Sequence, residues 1–414
     1  MSAIASARVD PARLERRLTE LGAIGRTAEG GVTRRSYGPD HARAARLAAG
    51  WMAAAGADVR VDLWGNLFGI VPGALRALPP IAAGSHLDTV PNGGIFDGAL
   101  GVVAAIEAAA AMRESHTALR HPLLLLAFAE EEGVTYGVGC LGSRGAAGRA
   151  PAADSIVDER GRSVAEAVRA FEPGVPRGTV PMPVAAYLEL HIEQGPSLDA
   201  RGAHLATVDA IVGIARASFV FAGEANHAGT TPMDRRRDAL WGAADLIAGV
   251  REIARETGGR AVGTVGRCAV TPGAVNVIPG TAEVTVELRS ADAGLLDALA
   301  ARVADAARAC AGRYGLEVTH RPWGAESPAP LDPRVREEVT GAARDLGWPL
   351  ATMSSWAGHD AKVLAGVAPA GMIFVPSGGG ISHSPREQTA WEDVARGAQL
   401  LCRTIERLDA VLGA

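Results

Sequence analysis

Lysine is all but missing from this 414-residue chain: of 41 basic side chains only Lys362 is not arginine, a bias that reads as codon usage rather than mechanism. Basic residues as a class do not exceed the acidic ones either. With 41 against 46 and a net charge of −5, the positive excess that neutralises a phosphate backbone is absent, and nucleic acid is not expected as a partner. The four cysteines, Cys140, Cys268, Cys310 and Cys402, are far apart and form no CxxC pair. That argues against a thiolate metal site and a disulfide framework, and fits a reducing cytoplasm. Aromatic residues make up only 4%, so the core has to be built from Ala, Val, Leu and other small side chains. No uncharged apolar run approaches the ~18 residues that would span a bilayer. Residues 1–22 read as an amphipathic helix without the apolar run of a signal peptide, so a soluble, unexported protein with no membrane partner is expected.

What remains is a globular composition, 48% hydrophobic and 21% charged, able to bury a large core. At roughly 150 residues per domain the length predicts two or three domains. Apolar residues at helical spacing over 42–55 lead into an alternating strand over 58–63, a second strand LFGIV, then IAAGS. A helix of small residues over 102–113 precedes LLLLAFA (123–129), a continuous apolar run typical of a strand buried on both faces. Strands alternating with helices predict an α/β fold with a mostly parallel sheet. From Gly213 the order becomes strand, helix, two strands, helix, strand, the βαββαβ order of a ferredoxin-like unit. After SPAPLDP the α/β pattern returns, with AGMIFV and a helix from Ala390. We therefore expect a discontinuous domain, residues 1–212 and 326–414, interrupted by an inserted unit of residues 213–325.

Histidines and carboxylates concentrate in Gly-rich loops where these strands end. In GSHLDTVPNGGIFDG, His86 and Asp88 lie two apart and Asp97 follows. A neutral imidazole suits Zn²⁺, a carboxylate two residues on can orient its other ring nitrogen, and Asp97 is placed to bridge two metals, although a turn-rich loop with a capping Asp has the same look. Glu130, Glu131 and Glu132 directly follow the buried run, where adjacent carboxylates must be exposed, hydrogen-bonded or bound to cations. Alone they read as a solvated acidic turn, but the strand before them should end at the same sheet edge as His86, where open α/β sheets place ligands. His191 ends another apolar strand in LELHIEQGPSL, with Gln194 three residues later, and His383 sits between serines in GGGISHSPRE. Singly, each histidine is as well explained as an ordinary loop or core residue. Together His86, Asp97, Glu132, His191 and His383 supply two imidazoles to one metal, an imidazole and a carboxylate to another, and one bridging Asp, a full ligand set for a two-metal hydrolytic site.

The segments SHLDTVPNGGIFDG, EEEG, HIEQGP, ANHAGTTPM, AVNVIPG, AGHDA and GISHSPRE, in this order, resemble the M20 metallopeptidase superfamily over nearly the whole chain. Within it they resemble the hydantoinase/carbamoylase amidases, in which the histidine of HIEQGP stands where related peptidases use a carboxylate. The resemblance implies a di-metal catalytic domain with two divalent ions per subunit, Zn²⁺ first, with Mn²⁺, Co²⁺ or Ni²⁺ also suited to such ligands. His86, Asp97 and His191 would hold one ion, and Asp97, Glu132 and His383 the other. Asp88 would orient His86, Glu131 would be the general base, and Glu130 a solvated or structural carboxylate.

The same resemblance makes the inserted unit a lid and dimerisation domain. Its His227 would reach the partner's site in a homodimer and stabilise the oxyanion; read alone, Asn226 and His227 are a polar turn. Asn276 and Arg289 would bind the substrate's α-carboxylate, which a guanidinium grips with two parallel hydrogen bonds, whereas the plain reading of Arg289 is a solvated strand end or a salt bridge. Gln194 and His204 would lie near the substrate's polar end, and Gly358 and His359 would line the pocket. Arg235, Arg236 and Arg237 read as the exposed start of a helix, His116, His121 and His320 as surface residues, and His41 is left without a role. The implied reaction is hydrolysis of the linear C–N bond of a small ureido carboxylic acid, first of all an N-carbamoyl-L-amino acid, with release of ammonia and carbon dioxide. Allantoate or ureidoglycolate, and the amide of an N-acyl amino acid or dipeptide, are the alternatives for the same machinery. Two departures from the family pattern, Val134-Thr135-Tyr136 in place of the SRF or ARF of EEGSRF and EEGARF, and Trp356 in place of a small residue, are expected to reshape the pocket. No ligand or base of the pattern is lost, which argues against a binding protein that kept only the fold.

Overall fold

The computed structural model describes residues 7–412. The amphipathic pattern of the N-terminus is accordingly seen from α1 (Pro11–Gly22), and residues 1–6 of it lie outside the described residues. α2 (Pro39–Ala54) leads into β1 (Asp58–Val61), β2 (Leu67–Val71) and β3 (Ile81–His86), followed by α3 (Ala99–Glu114), β4 (Leu123–Phe128), α4 (Leu141–Ala146), α5 (Val164–Ala170), β5 (Ala186–Ile192), α6 (Ser197–Arg201) and β6 (Ala206–Ile211). Next come β7 (Gly213–Ala222), α7 (Ala239–Arg255), β8 (Ala261–Thr271), β9 (Thr281–Ser290), α8 (Ala293–Arg313) and β10 (Glu317–Glu326). The chain ends with β11 (Ala329–Pro330), α9 (Pro333–Leu346), β12 (Ala351–Ser355), α10 (Asp360–Leu364), β13 (Ala370–Val375) and α11 (Trp391–Val411). Two compact units result: one joins the described residues up to Asp209 with those from Leu331, and the other is Ala210–Pro330.

In the first unit the strand order is β1-β2-β4-β3-β5-β13-β6. Its centre, β4-β3-β5-β13, is parallel throughout, while β2 joins β4 and β6 joins β13 antiparallel. The centre is parallel because β3, β4, β5 and β13 are apolar and buried along their whole length, so helices must cover both faces. α3 is the closest of these covers: all its residues from Ala99 to Met112 are buried. Its small side chains let it lie directly on the sheet, and a Cβ on Gly101 would stand 2.4 Å from the Leu190 carbonyl oxygen. The core is accordingly dominated by Ala, Leu and Val. The short strands β6, β11 and β12 are not apolar runs and left no signal in the sequence.

The second unit is a four-stranded antiparallel sheet, order β10-β7-β9-β8, whose apolar face packs with α7 and α8 around Phe219, Phe221, Val284 and Leu299. α7 starts at Ala239 with Asp238 as its cap, so Arg235–Arg237 precede the helix rather than open it. Among the described residues, no helix is long and apolar enough to cross a membrane.

Candidate active site

His86, Asp97, Glu131, Glu132, His191 and His383 come from the C-terminal ends of the four central strands or the loops after them. His86 closes β3, His191 lies in β5, Glu131 and Glu132 follow β4, and His383 follows β13. Because these strands are neighbours and parallel, their ends share one sheet edge, where helix and strand geometry leaves a crevice. Asp97 enters from the loop between β3 and α3. Gly98, with φ of 65°, makes that entry: a Cβ there would stand 2.4 Å from the His86 ring, so only glycine lets the loop cross over the imidazole.

Asp97 is the hub. Its Oδ1 lies 3.4 Å from Nε2 of both His86 and His191, and its Oδ2 lies 3.4 Å from His383 Nε2. These separations are too long for good hydrogen bonds, yet two ligands bound about 2.1 Å from one tetrahedral cation stand about 3.4 Å apart. Glu132 Oε2 is 3.6 Å from His383 Nε2, and Glu131 Oε2 is 3.7 Å from His86 Nε2. The imidazoles are turned for binding: His86 Nδ1 donates to the Asp88 carbonyl and His191 Nδ1 to the Ile192 carbonyl, both at 3.0 Å, which directs each Nε2 toward Asp97. Glu132 Oε1 is buried and no described group donates to it. Burial pushes the Glu132 carboxyl up to about 7, with Asp97 acting the same way, and burial holds Glu131 well above the usual carboxylate range. Asp97 is held well below that range, despite its burial, by His191, His383 and His86. Converging acceptors and an orphaned buried oxygen make up a donor set that fits divalent cations; His86–Asp97–His191 and Asp97–Glu132–His383 share Asp97, and His86–Glu131–Glu132 and Glu189–His191–His359 also converge.

Asp88 faces His86 with its carbonyl oxygen, which accepts from His86 Nδ1 at 3.0 Å, while its carboxylate stands 3.9 Å from the same nitrogen and accepts the backbone N–H groups of Glu131 and Glu132, both at 3.2 Å. Glu130 is fully buried and not solvated; at φ of 57° it turns its Oε1 back to accept from the N–H groups of Thr135 and Tyr136. That turn sends Tyr136 into the core, edge-on to Tyr37. Gln194 joins the cluster itself, donating to Asp97 Oδ2 at 2.8 Å. His359 is buried and stands edge-on to the His191 ring, with Nε2 2.8 Å from Ser355 Oγ, and Gly358 is exposed. His204 stays apart, paired with Asp393 at 2.7 Å. His121 is buried, not a surface residue, bridging the carbonyls of Pro79 and Leu412. Trp356 is half-buried.

In the second unit the structure brings His227 and Asn276 together: the two segments pair at His227 and Val277, and the Asn276 carbonyl accepts the Ala228 N–H at 3.0 Å. The Arg289 Nε donates to Glu287 at 2.8 Å.

Three contributors went unread in the sequence. Glu387 accepts the N–H groups of Phe96 and Asp97, Ser382 donates to Asp97 Oδ2 at 3.0 Å, and the Cys140 thiol donates to Glu131 Oε1 at 3.3 Å. The first two sit inside the SHSPRE motif beside His383, so their signal was present; Cys140 has none.

The model of peptidase family M20/M25/M40 matches residues 82–407. The N-carbamoyl-L-amino acid amidohydrolase of Geobacillus stearothermophilus is 40% identical over 96% of this chain and 98% of its own length. The allantoate amidohydrolase of Escherichia coli (strain K12) is 34% identical over 95% of this chain and 97% of its own. Among solved structures, an amidase of the hydantoinase/carbamoylase family from Burkholderia multivorans superposes with a TM-score of 0.91 at 34% identity, covering 97% of this chain and 98% of that one. Sequence, strand-end geometry and relatives agree: this chain belongs to peptidase family M20/M25/M40, with the hydantoinase/carbamoylase amidases.

Proposed function

We propose that this chain is a metal-dependent amidohydrolase that cleaves the carbamoyl group from an N-carbamoyl-L-amino acid. The observation that carries the reading is the spacing around Asp97, three imidazole nitrogens each 3.4 Å from its oxygens, together with the 40% identity to a relative of that activity. His86, Asp97 and His191 would hold one divalent ion, Asp97, Glu132 and His383 a second, with Zn²⁺ the first choice and Mn²⁺, Co²⁺ or Ni²⁺ compatible with the same ligands. Bound cations of this kind polarise a carbonyl and make hydroxide available near neutral pH.

The protein's own groups do the rest. Glu131 Oε1 is engaged by the Cys140 thiol, which leaves Oε2 to take the proton of the attacking water and deliver it to the departing nitrogen. Asp88 keeps that carboxylate in register by holding the Glu131 and Glu132 backbone. His227 donates to the developing oxyanion, and Asn276 and Arg289 grip the substrate's carboxylate. The N–CO bond breaks, the amine keeps the returned proton, and the carbamic acid released falls apart to carbon dioxide and ammonia. The Ala210–Pro330 unit would serve as lid and dimerisation surface of a cytoplasmic homodimer in which His227 acts in trans.

The test is a screen of the metal-loaded protein that reads ammonia release from N-carbamoyl-L-amino acids, allantoate, ureidoglycolate and β-ureidopropionate, and release of the free amino group from N-acyl amino acids. N-carbamoyl-L-amino acids should give the highest kcat/KM. The Glu131→Gln variant should bind metal normally and lose at least about 10²-fold in kcat. A preference for N-acyl amino acids, or near-normal turnover by Glu131→Gln, would overturn the reading.

A further inference from the structure

His227 sits in a turn that decides which of its ring nitrogens carries a proton. Its Nδ1 accepts two backbone N–H groups, from Gly229 at 3.0 Å and Thr230 at 3.2 Å. A nitrogen that accepts twice has no proton, so the neutral ring is fixed as the Nε2–H tautomer, with its one donor turned away from the turn. The first of these N–H groups belongs to the Ala228–Gly229 peptide, and the other end of that plane, the Ala228 carbonyl oxygen, is held by Arg236 Nη2. Arg236 Nε also donates to the Thr231 carbonyl at 3.1 Å. Thr231 in turn donates to the His227 carbonyl from its hydroxyl at 2.8 Å and from its N–H at 3.2 Å.

A peptide group is planar and rigid, so gripping its oxygen sets the direction of its N–H. One half-buried guanidinium thus aims the Gly229 N–H at His227 and closes the turn at Thr231. A lysine ammonium carries all its donors on one atom and lacks the fixed, separated pair of donors that the planar fork presents to the two carbonyls. We propose that Arg236 is a positioning residue for the reaction, holding His227 as an Nε2–H donor by clamping the Ala228–Gly229 peptide and the Thr231 carbonyl. This rests on the reading of His227 as the oxyanion donor.

The test is a double-mutant cycle in the full-length, metal-loaded enzyme. It uses Arg236→Ala and Arg236→Lys, each alone and combined with His227→Ala, read as kcat and KM on the best ureido substrate. It adds the ¹⁵N spectrum of the His227 ring, assigned by difference from His227→Ala. His227→Ala should lower kcat about 10²-fold. Arg236→Ala should lower kcat about tenfold or more with little change in KM, should cost nothing further in the His227→Ala background, and should turn a single Nε2–H ring signature into a tautomer mixture. Arg236→Lys should fall between the parent and Arg236→Ala. An equal loss in both backgrounds, or an unchanged ring signature in Arg236→Ala and Arg236→Lys, overturns the proposal. If His227→Ala alone leaves kcat intact, it is the oxyanion reading that falls, while the ring spectrum still decides the clamp.

Discussion

At the scale of single residues, Asp97 turns its two oxygens to different histidine sets, Oδ1 toward His86 and His191 and Oδ2 toward His383. Removing it should therefore act on both proposed ions, whereas removing His383 should act on one. Metal analysis after dialysis is expected to find Asp97→Ala nearly empty and His383→Ala with about half of the parent's content; equal retention by the two variants would contradict the bridging role. The residue types that carry this chemistry were legible because few side chains can bind a divalent ion, and they recur at strand ends. The partners of those residues were not. Whether Asp88 meets His86 through its carboxylate or its carbonyl depends on a backbone rotation, and the thiol of Cys140 reaches Glu131 across nine positions of a loop that no periodicity describes.

At the scale of elements, the turn from β3 into α3 is tightly constrained at Gly98. Ala at position 98 would have to hold φ near 65° and place its Cβ against the His86 ring. Gly98→Ala is expected to fold around the same core but bind metal about 10-fold to 100-fold more weakly, as calorimetric titration would show. The start of α2 offers a pH test. His41 is fully buried, stacked on Phe171, and its Nδ1 accepts the Tyr37 N–H at 3.0 Å; burial pushes its pKa down to about 4. The unfolded chain, with histidine near 6.5, takes up the proton first as pH falls. The contribution is thus complete above about pH 6.5 and is lost progressively down to about pH 4, at a cost on the order of 3 kcal/mol. Denaturant unfolding at stepped pH should show this loss in the parent and a shallower slope in His41→Gln.

For the whole molecule, the two excursions of the chain at the unit boundary lie side by side: Ala210 pairs with Pro330 and Ile211 with Ala329 in an antiparallel bridge. Paired positions of this kind lie about 5 Å apart, close enough for a two-residue turn to join them. Replacing residues 211–329 by Asn-Gly should leave the first unit with its own core and its candidate metal-binding residues, since His86, Asp97, Glu131, Glu132, His191 and His383 all belong to it. It should also remove turnover, because His227, Asn276 and Arg289 go with the excised unit. Metal content with no ammonia release is the expected result; full activity would place the whole reaction in the first unit.

The alternation of apolar strands and helices and the residue types gathered at the candidate site were determined by the sequence itself, because burial on both faces and the need for imidazole or carboxylate groups each restrict residue type at the position where they act, whereas the second unit, expected over 213–325, runs from Ala210 to Pro330. Tertiary structure alone decided which atoms meet. The parallel order β4-β3-β5-β13 brings residues from Glu131 to His383 to one edge, and the direction of single peptide groups at Asp88 and Ala228 sets what their neighbours donate or accept. A peptide's orientation is a property of the packed chain and leaves no mark on residue identity, which is why Arg236 reads in the sequence as one more surface arginine and in the structure as the group that holds the His227 turn.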